Sequence, residues 1–284
     1  MTRARVRFMT FSIVGRLDDA LGVAVASKFL AVGAAVPAAE ARVGALATQA
    51  FANLSYRSNG LAWLRGGRSA QEALDSLTAA DEDREQRQLG IVDARGGSAT
   101  FTGRGCHAWA GGRHGVGYAV QGNILTGPEV VESMEAAWLR ATGDLSTRLL
   151  AALTAGDQAG GDRRGRQSSA MFVVRRGAGY GGLSDVAVDL RVDDHPAPVE
   201  ELVRLLDLHR LYFGKPDPAT LLDLSGELGD EVEHRLASLG FASLEDWAGV
   251  ENYEERMVPG RIDPLVLAKL REATPDAVPG TARR

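Results

Sequence analysis

Met9-Thr10-Phe11-Ser12-Ile13-Val14-Gly15-Arg16 is the stretch on which the reading of the chain turns. Behind it lie eight residues in which Thr2 to Arg7 carries three arginines and no apolar period. From Thr10 the residues become strand-like at once. A polar turn, Arg16-Leu17-Asp18-Asp19, follows, and then a small apolar run from Leu21 to Phe29. Two β-rich runs around an Asp-containing turn predict a hairpin. The run from Leu21 is apolar on both faces, as in a strand buried on both sides. If translation starts at Met9 and the methionine is trimmed, or a leader is cut away, Thr10 becomes the first residue. It then carries a hydroxyl and a free amine on adjacent carbons, the minimal equipment of a self-activated nucleophile. If not, Thr10 is a β-branched residue suited to a strand.

Working outward, Ala31 to Glu40 reads as a connection and Val43 to Ala50 as a buried strand. Tyr56 to Leu64 is helical, and Ser69-Ala70-Gln71-Glu72 is a capping box opening a second helix. Asp81 to Arg87 reads as a solvated charged connection. Gln88–Asp93 and Ser98–Thr102 form a second predicted hairpin around Gly96-Gly97. Ala108 to Gly115 reads as a loop and Val116 to Gly122 as a strand. Helices are predicted at Glu129–Ala141, with Pro128 at its first turn, and at Leu145–Thr154. Ser169–Arg175 and Val186–Val192 read as strands, and Pro196–Tyr212 as a helix. Strands and helices come in blocks, not in strict alternation, which predicts an α+β fold with antiparallel sheets covered by helices.

Composition sets the outer limits. The chain has 284 residues, 45% hydrophobic and 24% charged, enough to bury a sizeable core. A net charge of −5 gives no general attraction to nucleic acid or an anionic membrane. Cys106 is the only cysteine, so no intrachain disulfide forms. The basic N-terminal residues lack an apolar h-region, and no run approaches a membrane span, so the expectation is a cytoplasmic protein. Of 32 basic residues only Lys28, Lys215 and Lys269 are lysines, which draws attention to each.

Gly214-Lys215-Pro216-Asp217-Pro218 marks a linker. Beyond it, Leu221–Leu224, Glu231–Leu239, Leu244–Trp247 and Leu265–Leu270 read as helical. The expected organisation is an extension at 1–8, an αβ domain at 9–212 and a small all-α domain at 213–284.

Several of these stretches carry a resemblance. The opening TFSIVGR, the run GVAVASKF, YAVQGNIL and GGDRRGRQSSAM resemble the family catalogued as domain of unknown function 1028, over roughly residues 9–210. That family is similar to the N-terminal-nucleophile (Ntn) hydrolases. The resemblance implies a four-layer αββα sandwich, two antiparallel sheets face to face with helices outside. The segment Ala219–Glu272, with LGF at Leu239–Phe241 and GRID at Gly260–Asp263, resembles the small peptidoglycan-binding-like module often appended to that family. The eight residues ahead of Met9 depart from members that begin at a Met-Thr pair.

Thr10 is the candidate nucleophile, its α-amine the base, with an unperturbed pKa of about 7.7–8.0. Lys28 is a candidate for holding that amine neutral, or else a snorkelling surface lysine. Ser27 is placed to orient either group. Asn123 is a candidate oxyanion donor, or an ordinary turn residue after Gly122. Gln49 and Asn53 flank another strand end. In Asp162-Arg163-Arg164-Gly165-Arg166-Gln167-Ser168, arginine can hold a substrate carboxylate, with Arg163, Gln167 and Ser168 foremost and Asp162 orienting. The plain alternative is a solvated loop. Cys106-His107 reads as a buried thiol beside a boundary histidine, since strand neighbours point to opposite faces. No metal-binding spacing and no phosphate loop are present in the sequence.

The expected activity is therefore hydrolysis of a C–N bond in a small amide or ureide by Thr10, with no metal or organic cofactor. The expected partners are that small molecule and further copies of the chain, and neither nucleic acid nor membrane. The alternative is a non-catalytic binding or assembly protein on the same sandwich, its C-terminal module docking a partner.

Overall fold

The computed structural model describes residues 10–275. The expectations placed on Met1 to Met9 lie outside the described residues. The chain divides into two compact units, the first ending at Leu205 and the second beginning at Leu206.

In the first unit the chain begins with β1 (Thr10–Leu17), β2 (Ala20–Ser27), α1 (Val32–Ala35), β3 (Pro37–Glu40) and β4 (Gly44–Ala50). It continues with α2 (Ser55–Arg65), α3 (Ala70–Ala79), β5 (Arg87–Asp93), β6 (Ser98–Thr102), β7 (Gly111–Gly115) and β8 (Tyr118–Gly122). Then come α4 (Glu129–Arg140), α5 (Leu145–Gln158), β9 (Ser168–Val174), β10 (Val186–Val192) and α6 (Pro198–Phe213), within which the division falls. Among the described residues these strands form a six-stranded sheet, β10-β9-β2-β1-β8-β7, and a four-stranded sheet, β3-β4-β5-β6, antiparallel throughout.

The two sheets face one another. Strands β1 and β2 pack on β3 and β4, and β7 and β8 on β5 and β6, while α4 and α5 cover the outside of the larger sheet and α2 and α3 the outside of the smaller. This is the expected four-layer sandwich. Its period-2 logic is plain in β1. Thr10, Ser12 and Val14 face the other sheet, whereas Phe11 and Ile13 turn towards the helices. Val14, Val23, Val25, Ala45, Ala47, Val92 and Ala119 make an apolar layer between the sheets. Each fully buried valine there contributes about 1.5–3 kcal/mol.

Local chemistry fixes the element ends. Ser69 Oγ accepts the Glu72 N–H while the Glu72 carboxylate accepts the Ser69 N–H, completing the capping box ahead of α3. Asp144 caps α5 by accepting from Thr147 N. Asp18, in the left-handed region at φ 52°, closes the β1–β2 turn.

Four expectations need correction. Ala31–Glu40 is not a plain connection, since it holds α1 and the edge strand β3. Gly111–Gly115 is a strand, formed by pairing with β8 although its glycines give no apolar alternation. Asp81 and Arg87 do not form a solvated link but a pair at 2.9 Å with side chains only 9% and 15% exposed. Asn53 and Tyr56 also donate to Asp81. Leu222–Asp223 is not helical, because it pairs as a short strand with Arg261–Ile262.

The second unit contains that pair, β11 (Leu222–Asp223) and β12 (Arg261–Ile262), with α7 (Gly226–Leu239), α8 (Leu244–Val250) and α9 (Pro264–Ala273). Val232, Leu236, Trp247, Tyr253, Val266 and Leu270 are its core. Arg256 and Asp263 pair at 2.5 Å with both side chains buried. Glu231 accepts from Arg271 and Arg235, and the Arg271 hydrogen bond, opposed by burial, leads in holding its carboxyl down at about 2.

Candidate active site

Thr10 is the first residue of β1 and its side chain enters the inter-sheet space. In register it lies opposite Ser27, which lies opposite Ser168, so three hydroxyl residues cross one end of the larger sheet. Thr10 Oγ1 donates to Ser27 Oγ at 3.2 Å. Thr10 and Ser27 are both buried.

Around Thr10 the inter-sheet layer changes character. The Thr10 carbonyl accepts from the Asn123 N–H at 3.0 Å and from Gln49 Nε2 at 3.2 Å. Gln49 Nε2 also donates to Gln88 Oε1 at 2.8 Å, and Gln49 Oε1 accepts the Ser12 hydroxyl at 2.7 Å. Asn123 Nδ2 donates to the same Gln88 Oε1 at 2.9 Å, which occupies one of its two amide hydrogens. Gln88 Nε2 reaches across to the Gly122 carbonyl at 2.7 Å and to Thr102 Oγ1 at 2.9 Å. Gln121 Nε2 donates to Ser12 Oγ at 2.6 Å. Its Oε1 is buried without a hydrogen-bond partner among the described residues. That oxygen sits over Gly90, where an added Cβ would come within 1.9 Å of it. Gly90 is therefore needed for Gln121 to lie between the sheets.

The network thus joins Thr10, Ser12, Ser27, Gln49, Gln88, Gln121 and Asn123, all buried. None of these side chains titrates near neutral pH. Hydroxyls and carboxamides position and polarise, but none can act as a general base for Thr10.

Of the residues singled out from the sequence, the structure brings Thr10, Ser27, Gln49 and Asn123 together. The charged candidates sit around the strand end next to Ser27. Asp162 is buried, and its carboxylate accepts the Lys28 N–H at 2.9 Å and pairs with Arg164 at 2.8 Å. Lys28 is exposed, and its Nζ donates to the Arg166 carbonyl at 3.2 Å. No hydrogen bond among the described residues connects Lys28 to Thr10. Arg163 is exposed and is held by its backbone N–H on Ile124 O. Gln167 donates its backbone N–H to Ser27 O and its amide to Asp194. Ser168 is buried but occupied, donating to the Phe29 carbonyl and accepting from Val32 N. A cavity of about 120 Å³ lies beside Ser27, lined also by Phe11, Ala26, Asp162, Gly165 and Arg166. Asn53 belongs to the separate Asp81 cluster.

Ser12, Gln88 and Gln121 are the members that the sequence reading missed. Their signal is positional, since each shares the inward face of its strand with a small or apolar residue, Val14 with Ser12, Val92 with Gln88 and Ala119 with Gln121. Cys106 is half-buried with its thiol donating to Arg87 O, and burial pushes it up to about 11, so it is no ready thiolate. Among the described residues no group of three or more His, Cys, Asp or Glu side chains is placed to hold a metal ion.

The model described as "Family of unknown function (DUF1028)" matches residues 10–202, beginning at Thr10 itself. The chain belongs to the DUF1028 family. A crystal structure of a DUF1028 protein from Silicibacter pomeroyi is similar at 28% identity and a TM-score of 0.65, covering 78% of this chain and 89% of that one. Residues 212–270 match the model described as "Putative peptidoglycan binding domain". No curated protein matches. Among the described residues no helix is long and apolar enough to cross a membrane.

Proposed function

We propose that this DUF1028 protein is a cytoplasmic hydrolase of the N-terminal-nucleophile type, cleaving a C–N bond in a small amide or ureide. The observation that carries the reading is the chemistry of the buried network. It holds one threonine hydroxyl and its carbonyl firmly, yet supplies no side-chain base. When Thr10 is the first residue, its own α-amine fills that gap at a pKa suited to neutral solution. The match of the family model from residue 10 agrees with a mature chain that starts there.

In this mechanism the amine takes the Thr10 hydroxyl proton, directly or through water, and Oγ1 attacks the carbonyl carbon. Asn123 Nδ2 retains a hydrogen for the developing oxyanion, a role worth about 3–4 kcal/mol in the transition state. The protonated amine returns its proton to the departing nitrogen, and water hydrolyses the ester. Ser27 orients the Thr10 hydroxyl, and Gln49 and Gln88 fix its backbone. Lys28 lies one residue beyond Ser27, so in this reading it acts on the amine through the field at the strand end and not through a contact. Asp162, Arg163, Gln167 and Ser168 shape the rim.

Intact-mass measurement on protein made from the native gene tests the premise. The expected mass is that of a chain beginning at Thr10, active across a panel of small amides and ureides. Thr10→Ser is expected to keep activity and Thr10→Ala to lose it. A chain that retains Met1–Met9 and is fully active would sink the mechanism. The rate should climb as pH rises through about 7–8, because only the neutral amine accepts a proton.

For the second unit we propose a protein-interaction or self-association role and not attachment to cell wall. Pull-down of the full chain on isolated peptidoglycan tests this, and strong retention dependent on residues 214–284 would overturn it.

A further inference from the structure

The larger sheet is wider than the smaller one. Its strands β9 and β10 have inward faces that no strand of the four-stranded sheet covers beyond β3. Asp189 and Arg191, paired in register with Phe172 and Ala170, consequently face inward yet are exposed. With α1, β3 and α2 they enclose a cleft of about 680 Å³. That volume is within the range of small-molecule sites. Thr10 and its amide network are not among its lining residues.

The charges in this cleft are unusual. Arg57, half-buried on α2, donates to the Ala34 carbonyl at 2.8 Å but has no carboxylate partner among the described residues. Asp189 likewise has no ion-pair partner among them. Arg191 reaches only Asp193, at 3.7 Å. Burial, with the charge of Arg191 adding to it, makes the Arg57 guanidinium easier to neutralise than usual, which marks two cations facing one space. Asp189 and Arg191 stand two residues apart on one strand face, about 7 Å. Opposite charges thus share a cleft without touching. Leu54, Leu61 and Phe172 contribute apolar wall to the same cleft. Gly33, also in the lining, lets α1 pack closely on Ala170 and the Arg191 stem. A Cβ there would come 2.5 Å from Ala170 Cβ and 3.1 Å from Arg191 Cγ, displacing that arginine.

We propose that this cleft binds a zwitterionic ligand with an apolar body, an α-amino acid, as a second site separate from Thr10. Arg57 and Arg191 take the carboxylate, Asp189 takes the ammonium, and the apolar walls take the side chain. Charge-assisted hydrogen bonds at both ends give the site its selectivity.

The test is calorimetric titration of the full chain with L-phenylalanine and L-leucine, and with phenylalaninamide and N-acetyl-phenylalanine as end-blocked controls. At least one free amino acid should bind saturably, and blocking either end of it should weaken binding about tenfold or more. Arg57→Gln should weaken the free amino acid while leaving the amide unchanged. Asp189→Asn should do the converse, sparing the N-acetyl form. Asp189 is exposed and Arg57 half-buried, and unchanged circular dichroism checks that both variants fold. Thr10→Ala should bind as the unaltered chain does, whether or not Thr10 proves catalytic. The proposal is overturned if neither amino acid binds, if blocked and free forms bind alike, or if both charge variants bind like the unaltered chain.

Discussion

The space between the two sheets has two ends built by the same strands and filled in opposite ways. Towards the β1–β2 turn it holds Val14, Val23, Ala45, Val92 and Ala119, and needs no directionality. Towards Thr10 it holds Ser12, Gln49, Gln88, Gln121 and Asn123, each buried and hydrogen-bonded. Burying carboxamides costs free energy unless their bonds are met, and an apolar filling would serve stability as well. The amide end therefore reads as an investment in geometry. It fixes the position of one threonine, while the apolar end holds the sheets together.

Breaking the two ends should give different signatures. In a chain that begins at Thr10, the proposed mechanism predicts that Thr10→Ala lowers kcat by about 10⁴-fold or more, as loss of a nucleophile does, with little change in melting temperature. Steady-state kinetics and thermal melts check this together. Gln88→Leu should act on both quantities. It removes the acceptor of Asn123 Nδ2, one of the acceptors of Gln49 Nε2 and a donor to the Gly122 carbonyl, which predicts a loss of about 3 kcal/mol in urea unfolding and a fall in activity. Val23→Ala, at the apolar end, should cost about 2 kcal/mol of stability through its cavity and leave kcat unchanged. A kcat loss equal to that of Gln88→Leu would erase the distinction between the ends.

The smallest effect lies outside the sandwich interior. Burial works against the charged form of Asp81. The hydrogen bonds from Arg87, Asn53, Tyr56 and the Asp83 N–H outweigh it and hold the carboxyl well below its usual range. A carboxylate so depressed contributes stability above its unfolded pKa of about 3.9 and loses that contribution as pH falls below it. Asp81→Asn should cost about 1–2 kcal/mol at pH 7 and flatten the acid limb of stability against pH, as followed by urea unfolding.

The strand hairpins, the capped helix after Ser69 and the block order were legible in the sequence because they depend on local periodicity and turn chemistry. β3 and β7 were not, since each is held by its neighbour and neither alternates. Thr10, Ser27, Gln49 and Asn123 were found from strand ends. Gln88 and Gln121 were overlooked because a glutamine inside a strand looks solvent-facing until the opposite sheet is placed. Lys28 stood out by its rarity, yet exposure and the Arg166 carbonyl account for where it points. The Arg57–Asp189 cleft joins α2 to β10, and no local pattern in the sequence announces that meeting.

The central claim is that Thr10 is a nucleophile only when its amine is free. A β-lactone, which acylates an activated hydroxyl, reports on this without knowledge of the substrate. Two preparations should be treated side by side, one beginning at Thr10 and one retaining residues 1–9, and the adducts mapped by peptide mass spectrometry. The account predicts a single ester on Thr10 in the first preparation and none in the second. Equal labelling of both, or no adduct at Thr10 in either, would contradict it.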